Sequence, residues 1–155
     1  MFKINIVCTG TLKEKYFLSA QSEYLKRLSR FCQINITELQ EQFLPQNPTE
    51  NEIKNALDKE YQQLLPYLKG KILVCDPNGE QLTSEEFSKK LIKCFDTNNI
   101  ITFVIGSSYG LSSKIKTNTL ISFSKLTFPH HLMRIFLEEQ IYRAFCINSN
   151  VAYHK

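Results

Sequence analysis

The stretch IITFVIGSSYG, residues 100–110, begins with six residues that are apolar except for Thr102 and rich in β-branching, and then breaks into glycine, two serines, tyrosine and glycine. A short run of this kind suits a strand buried on both faces, as in a parallel sheet covered by helices. The polar loop would then sit at the strand's carboxyl end, where ligands gather in open α/β sheets. A glycine at a strand end is also an ordinary turn residue, so the loop alone is not specific.

Working outward, strand and helix patterns alternate, which predicts a layered α/β domain with a mostly parallel sheet. Residues 3–9 read as a buried first strand, and residues 34–39 suit a second. Thr11 with Glu14, Thr49 with Glu52 and Thr83 with Glu86 have capping-box spacing. The helices they would start carry Phe17, Ala20, Tyr24 and Leu28; Ile53, Leu57, Tyr61 and Leu64; and Phe87, Leu91 and Phe95 at helical intervals. Residues 40–48 form a polar loop punctuated by proline. Residues 71–76 predict a strand that ends at the turn signal Pro77, Asn78 and Gly79.

Beyond the central loop, SFSKLTFPHHLMR at residues 122–134 closes a short strand over 120–124. It then crowds hydroxyls and a lysine together before Pro129, which suits the first turn of a helix running to about Ile147. Met133, Leu137, Ile141, Ala144 and Phe145 form that helix's apolar stripe. Arg134 with Glu138 and Glu139 with Arg143 stand at i,i+4, the spacing of solvated ion pairs. His130 could be structural or catalytic, and His131 is expected to be exposed. His154, penultimate in a tail that would otherwise fray, needs something to hold it.

Composition narrows the function classes. The 155 residues suffice for one domain over 1–155, and a hydrophobic fraction of 43% with 22% charged residues is ordinary for a globular protein. No apolar run approaches the ~20 residues of a membrane span. The start is too short and strand-like for a secretory signal, so a cytoplasmic protein is expected. Five scattered cysteines without a CxxC pair argue against a zinc site or a disulfide framework, and His130 and His131 lack partners at ligand spacing, so no metal is expected. Neither GxxxxGK[ST] nor GxGxxG occurs, which disfavours NTPases and standard dinucleotide binders. A net charge of +4 is compatible with a nucleic-acid partner without identifying one.

In their order and spacing, FVIGSSYG, SFSKLTFPHHLMR, LEEQIYRAF and the terminal AYHK resemble the RlmH family, the ribosomal large-subunit pseudouridine N3-methyltransferases of the SPOUT class. The likeness extends over the whole chain, including KINIVCTGTLKEKYF near its start. It implies a three-layer α/β domain with a C-terminal trefoil knot, a homodimer, and S-adenosylmethionine as methyl donor. The implied acceptor is a pseudouridine in the helix 69 loop of 23S rRNA in the assembled ribosome, with no DNA or membrane partner.

By the same resemblance Cys75, Gly106, Phe123, Ser124, Lys125, Leu126, Thr127 and Phe128 match the cofactor segments. His154 and Tyr153 would lie near the acceptor base, Arg134 and Arg143 would contact RNA phosphate or support the site, and His130 and Glu139 would hold the helix and knot. Three residues depart from the family pattern: Cys75 stands for a leucine, Ser107 for a second glycine and Glu80 for a basic residue. A silent RNA-binding scaffold and a related enzyme acting on another nucleotide are the competing readings.

Overall fold

Strands β1 (Phe2–Thr9), β2 (Cys32–Leu39), β3 (Lys71–Gln81), β4 (Ile100–Ile105) and β5 (Thr119–Ser122) form one five-stranded sheet with β4 at its centre, in a computed structural model describing residues 1–155. The order is β2-β1-β4-β3-β5, and every pairing between these strands is parallel. Helices α1 (Lys15–Leu28), α2 (Glu50–Leu64), α3 (Ser84–Thr97) and α4 (His130–Asn148) form the connections and the C-terminal cover.

Alternation along the strands divides the core into two layers. Ile4, Ile6, Leu73 and Phe103 pack with Leu28 of α1, Phe87 and Leu91 of α3, and Leu137, Ile141 and Phe145 of α4. Val7, Val74 and Val104 point the other way, onto Leu64 of α2 and Ile115 of a short 3-10 helix, Ser113–Thr117. Helices therefore cover both faces, which is why β4 is apolar except at Thr102, whose hydroxyl donates to the Lys69 carbonyl at 2.7 Å.

Four local expectations change. Thr11 and Glu14 form no capping box: Glu14 itself holds the N-cap position without a side-chain cap, because residues 10–13 cross the end of β2, where the Leu12 amide donates to Glu38 Oε2 at 2.9 Å. Pro77, Asn78 and Gly79 do not end β3. They form an irregularity between Cys75 and Glu80, after which pairing with β5 resumes at Glu80 and Gln81. The Asn78 amide donates to Asp76 Oδ1 at 2.8 Å, so turn chemistry is used inside a strand. Gly79 permits this, since a Cβ there would stand 2.6 Å from the Ile121 backbone. The fifth strand stops at Ser122, and Pro129 is the N-cap of α4 instead of its first helical residue.

The Thr83–Glu86 box is complete, and Thr49 caps α2 by accepting from the Glu52 amide at 3.2 Å. On α4 the expected stripe holds at Leu137, Ile141, Ala144 and Phe145, but Arg134, Glu138 and Tyr142 are buried too. The helix lies against α1 and α3 as well as the sheet, so most of its circumference is covered.

Candidate active site

A cleft of about 290 Å³ opens at the carboxyl ends of β4 and β5, beside the irregularity in β3. Three separate stretches wall it: Cys75–Asp76, the 105–111 loop and the segment 121–128. Of the eight residues matched to the cofactor segments, Cys75, Gly106, Phe123, Ser124, Leu126, Thr127 and Phe128 line this cleft. Lys125 does not, and its side chain is exposed.

The first loop is tightly closed. A Cβ on Gly106 would stand 2.3 Å from the Gly110 carbonyl oxygen, so only glycine lets the two loop ends approach. The Gly110 amide donates to Ser107 O at 2.8 Å, and Gly110 takes φ 89°. Ser107 has no positive φ, since Asn150 is the only non-glycine residue that does. Its substitution for glycine is therefore unstrained. The Ser107 hydroxyl instead donates to Glu60 Oε1 at 3.1 Å, while Glu60 Oε2 accepts from the Gln42 amide at 2.8 Å. Burial raises the Glu60 pKa, and the two hydrogen bonds oppose that shift. Ser108 and Ser112 donate to Glu41 at 3.1 Å and Asp58 at 2.6 Å, which ties the loop to the α2 side at three points.

The second wall is an irregular, self-braced segment. The Ser122 hydroxyl donates to Ser124 O at 2.9 Å, and Ser124 Oγ accepts from the Leu126 amide at 3.0 Å. These local bonds explain why hydroxyls and large apolar residues alternate here: the former hold the bend and the latter supply its wall. Burial pushes the Cys75 thiol up to about 12, so it remains a neutral wall residue. Asp76 is nearly buried, with Lys116 Nζ at 3.5 Å from its Oδ2. His130, absent from the expected cofactor set, also lines the cleft. Burial, and after it His131, lowers its pKa. His131 is half-buried, 3.7 Å from Glu14, because α1 packs across it.

The C-terminal tail forms a second constellation. Arg143 donates twice to Glu139 Oε1, at 3.0 and 2.6 Å, and Tyr153 OH donates to the same oxygen at 2.9 Å. The Arg143 guanidinium lies 4.7 Å from the centre of the Tyr153 ring. Arg143 Nη1 also stands 3.1 Å from His154 Nδ1, which must then accept; Nε2 carries the proton and donates to Glu85 Oε1 at 2.8 Å. That bond holds the Glu85 carboxyl below its usual range. Burial and the Glu139 bond push Tyr153 up to about 12, making it a hydrogen-bond donor instead of a base. The tail is thus held by its own chain.

Arg134 stands apart from that group. It is 1% exposed, bonds Glu38 Oε2 at 2.8 Å and donates to the Gly10 carbonyl at 3.2 Å. It does not make the expected Glu138 pair, and neither Glu138 oxygen has a hydrogen-bond partner. Buried in this way, Arg134 can support the ends of β1 and β2 but presents no free guanidinium to a phosphate. Glu80, at a position where the family pattern is basic, pairs with Lys90 at 2.8 Å. No group of three or more His, Cys, Asp or Glu side chains is arranged to hold a metal ion, and no helix is long and apolar enough to cross a membrane.

Comparison with known proteins adds the remaining link. A family described as "Predicted SPOUT methyltransferase" matches residues 2–154. Ribosomal RNA large subunit methyltransferase H of Caldicellulosiruptor bescii is 49% identical over 156 residues, covering 98% of this chain and 99% of that protein. The proteins of the same name from Clostridium botulinum (44%) and Latilactobacillus sakei (43%) match over the same shares. With a parallel α/β sheet, a cleft built from the expected segments and full-length similarity of this degree, the chain belongs to the SPOUT methyltransferases and, within them, to the RlmH family.

Proposed function

We propose that this protein transfers a methyl group from S-adenosylmethionine to N3 of a pseudouridine in the helix 69 loop of 23S rRNA, acting on the assembled ribosome. The observation that carries the reading is the convergence of Cys75, Gly106, Phe123, Ser124, Leu126, Thr127 and Phe128, distant in sequence, on one cleft. That cleft suits the donor. Ile105, Leu111, Phe128 and Met133 offer apolar walls to an adenine, while the loop backbone and the Asp76 carboxylate offer polar partners to the amino-acid end. When bound, the donor supplies a methyl already activated on a sulfonium.

The chain's own residues then have two tasks. The closed 106–110 loop and the braced 122–126 bend fix the donor's position, and the Arg143–Glu139–Tyr153–His154 group stands on the acceptor side. Positioning matters most, because aligning the reacting atoms removes much of the barrier and the imide N3–H is only weakly acidic. No residue is assigned as general base. Lys125, exposed beside the cleft, belongs to the proposed donor segment without forming its wall.

The same reading includes a homodimer, a trefoil knot formed by the C-terminal segments, and a cytoplasmic setting without DNA or membrane partners. A small domain of net charge +4 suits shape readout of a structured loop better than sequence readout of a duplex.

The test is transfer of labelled methyl to whole ribosomes, free large subunits and naked rRNA from a strain lacking the activity, followed by nucleoside mass spectrometry. N3-methylpseudouridine appearing mainly on whole ribosomes is the expected result. Saturable donor binding without transfer to any of the three would move the target to another RNA. Absence of donor binding as well would favour a silent scaffold.

A further inference from the structure

A second cavity of about 290 Å³ shares Ile121, Ser122, Phe123 and Phe128 with the donor cleft. Of the residues unique to it, only Glu139 belongs to the proposed acceptor-side group, and none to the expected cofactor set. Its sides are aromatic: Phe87 meets Phe123 edge-on at 6.2 Å, and Phe128 meets Phe136 edge-on at 5.3 Å. Its polar side is a short chain of side chains. Ser84 Oγ donates to Gln140 Oε1 at 2.9 Å, which fixes the amide's orientation, and Gln140 Nε2 donates to Glu139 Oε2 at 2.8 Å. Glu139 Oε1 is meanwhile occupied by Arg143 and Tyr153.

Counting donors and acceptors leaves an unused pair. The Gln140 amide has a second N–H, and Glu139 Oε2 has a further lone pair. One donor and one acceptor lie side by side, with aromatic rings around them. Such a pair complements a planar ring with a carbonyl next to an N–H, and the rings supply stacking surfaces for it.

We infer that this cavity receives the acceptor base, with Gln140 and Glu139 reading the edge that distinguishes pseudouridine from uridine; the inference rests on the function proposed above. N3 must face the donor cleft, so the edge left for the pocket is C2=O beside N1–H. Gln140 donates to O2, and Glu139 Oε2 accepts from N1–H. Uridine, seated by its own glycosidic bond, places C5–H where pseudouridine has N1–H. The free lone pair of Glu139 Oε2 would then face a C–H instead of a donor, and a site built to hydrogen-bond discriminates against an analogue that lacks the group. This also gives the tail network a purpose. Arg143 and Tyr153 hold Glu139 so that its other oxygen faces the cavity.

The experiment compares methyl transfer to ribosomes bearing pseudouridine or uridine at the acceptor position, using wild type, Glu139→Gln and Gln140→Leu, with donor binding and melting temperature measured for each. Wild type is expected to favour pseudouridine by well over tenfold, and Glu139→Gln to lower that ratio about tenfold or more with donor affinity retained. Gln140→Leu, which leaves the Arg143 and Tyr153 bonds in place, should raise KM for the pseudouridine substrate with donor affinity retained. It keeps the inference testable if Glu139→Gln fails to fold. Variants that keep the wild-type ratio and KM would overturn the inference while leaving the proposed function standing. A wild type that transfers to neither substrate would overturn the function, and the inference with it.

Discussion

Glu138 shows how far a single residue's role can differ from its spacing. Four residues after Arg134 on a helix, it looks like half of a surface pair, yet it is fully buried without a hydrogen-bond partner. Burial raises its pKa from 4.5 to about 8, with Arg134 opposing the shift. Between those values the folded state binds the extra proton and the unfolded chain does not, so stability is full at low pH and falls as pH rises toward about 8. His130, with its lowered pKa, acts in the opposite sense at lower pH, but that contribution cancels when a variant is compared with wild type. Glu138→Gln should therefore flatten melting temperature against pH between 5 and 9, gaining most over wild type at the alkaline end; parallel curves would rule out this titration. The sequence could not reveal it, because the residue that takes Arg134 from Glu138 is Glu38, on a strand nearly a hundred residues away.

At the scale of elements, the loops that make the cleft tolerate little change. Gly106→Ala would drive a Cβ into the Gly110 carbonyl, and a loop displaced by about 1 Å should lower kcat/KM on the order of a hundredfold. Donor titration is expected to show the same weakening, and unchanged donor affinity would refute the loop's assignment. The tail makes a contrasting case. Deleting residues 151–155 removes Tyr153 and His154 from Glu139, Arg143 and Glu85 but touches no wall of the donor cleft. Methyl transfer should be abolished with donor binding nearly intact, whereas equal loss of both would refute that division of labour. The loop after β4 was legible as a place for a ligand because it follows a buried strand, whereas the expected cofactor segments came from the resemblance to the family. His130 was not legible, since its place in the wall depends on the approach of separate segments. The signal at Pro77, Asn78 and Gly79 was real turn chemistry with a different outcome, because β5 offered β3 a partner beyond it.

For the molecule as a whole, alternation of elements foretold a parallel sheet covered on both faces, but strand order was beyond reach: nothing local places β4 between β1 and β3. That placement has a thermodynamic consequence. β1, β3 and β4 each send alternate side chains into both core layers, Ile6 against Val7, Leu73 against Val74 and Phe103 against Val104. Neither layer can lose its sheet face without exposing the other, so the proposed single domain over 1–155 should unfold as one cooperative unit. Tyrosine fluorescence, available because the chain has seven tyrosines and no tryptophan, should follow the same urea transition as far-UV circular dichroism. In the proposed homodimer the unfolding midpoint also rises with protein concentration, because association stabilises only the folded state. Two separated transitions would break the domain assignment. A midpoint that stays fixed over a hundredfold range of concentration would instead count against the dimer while leaving the single domain intact.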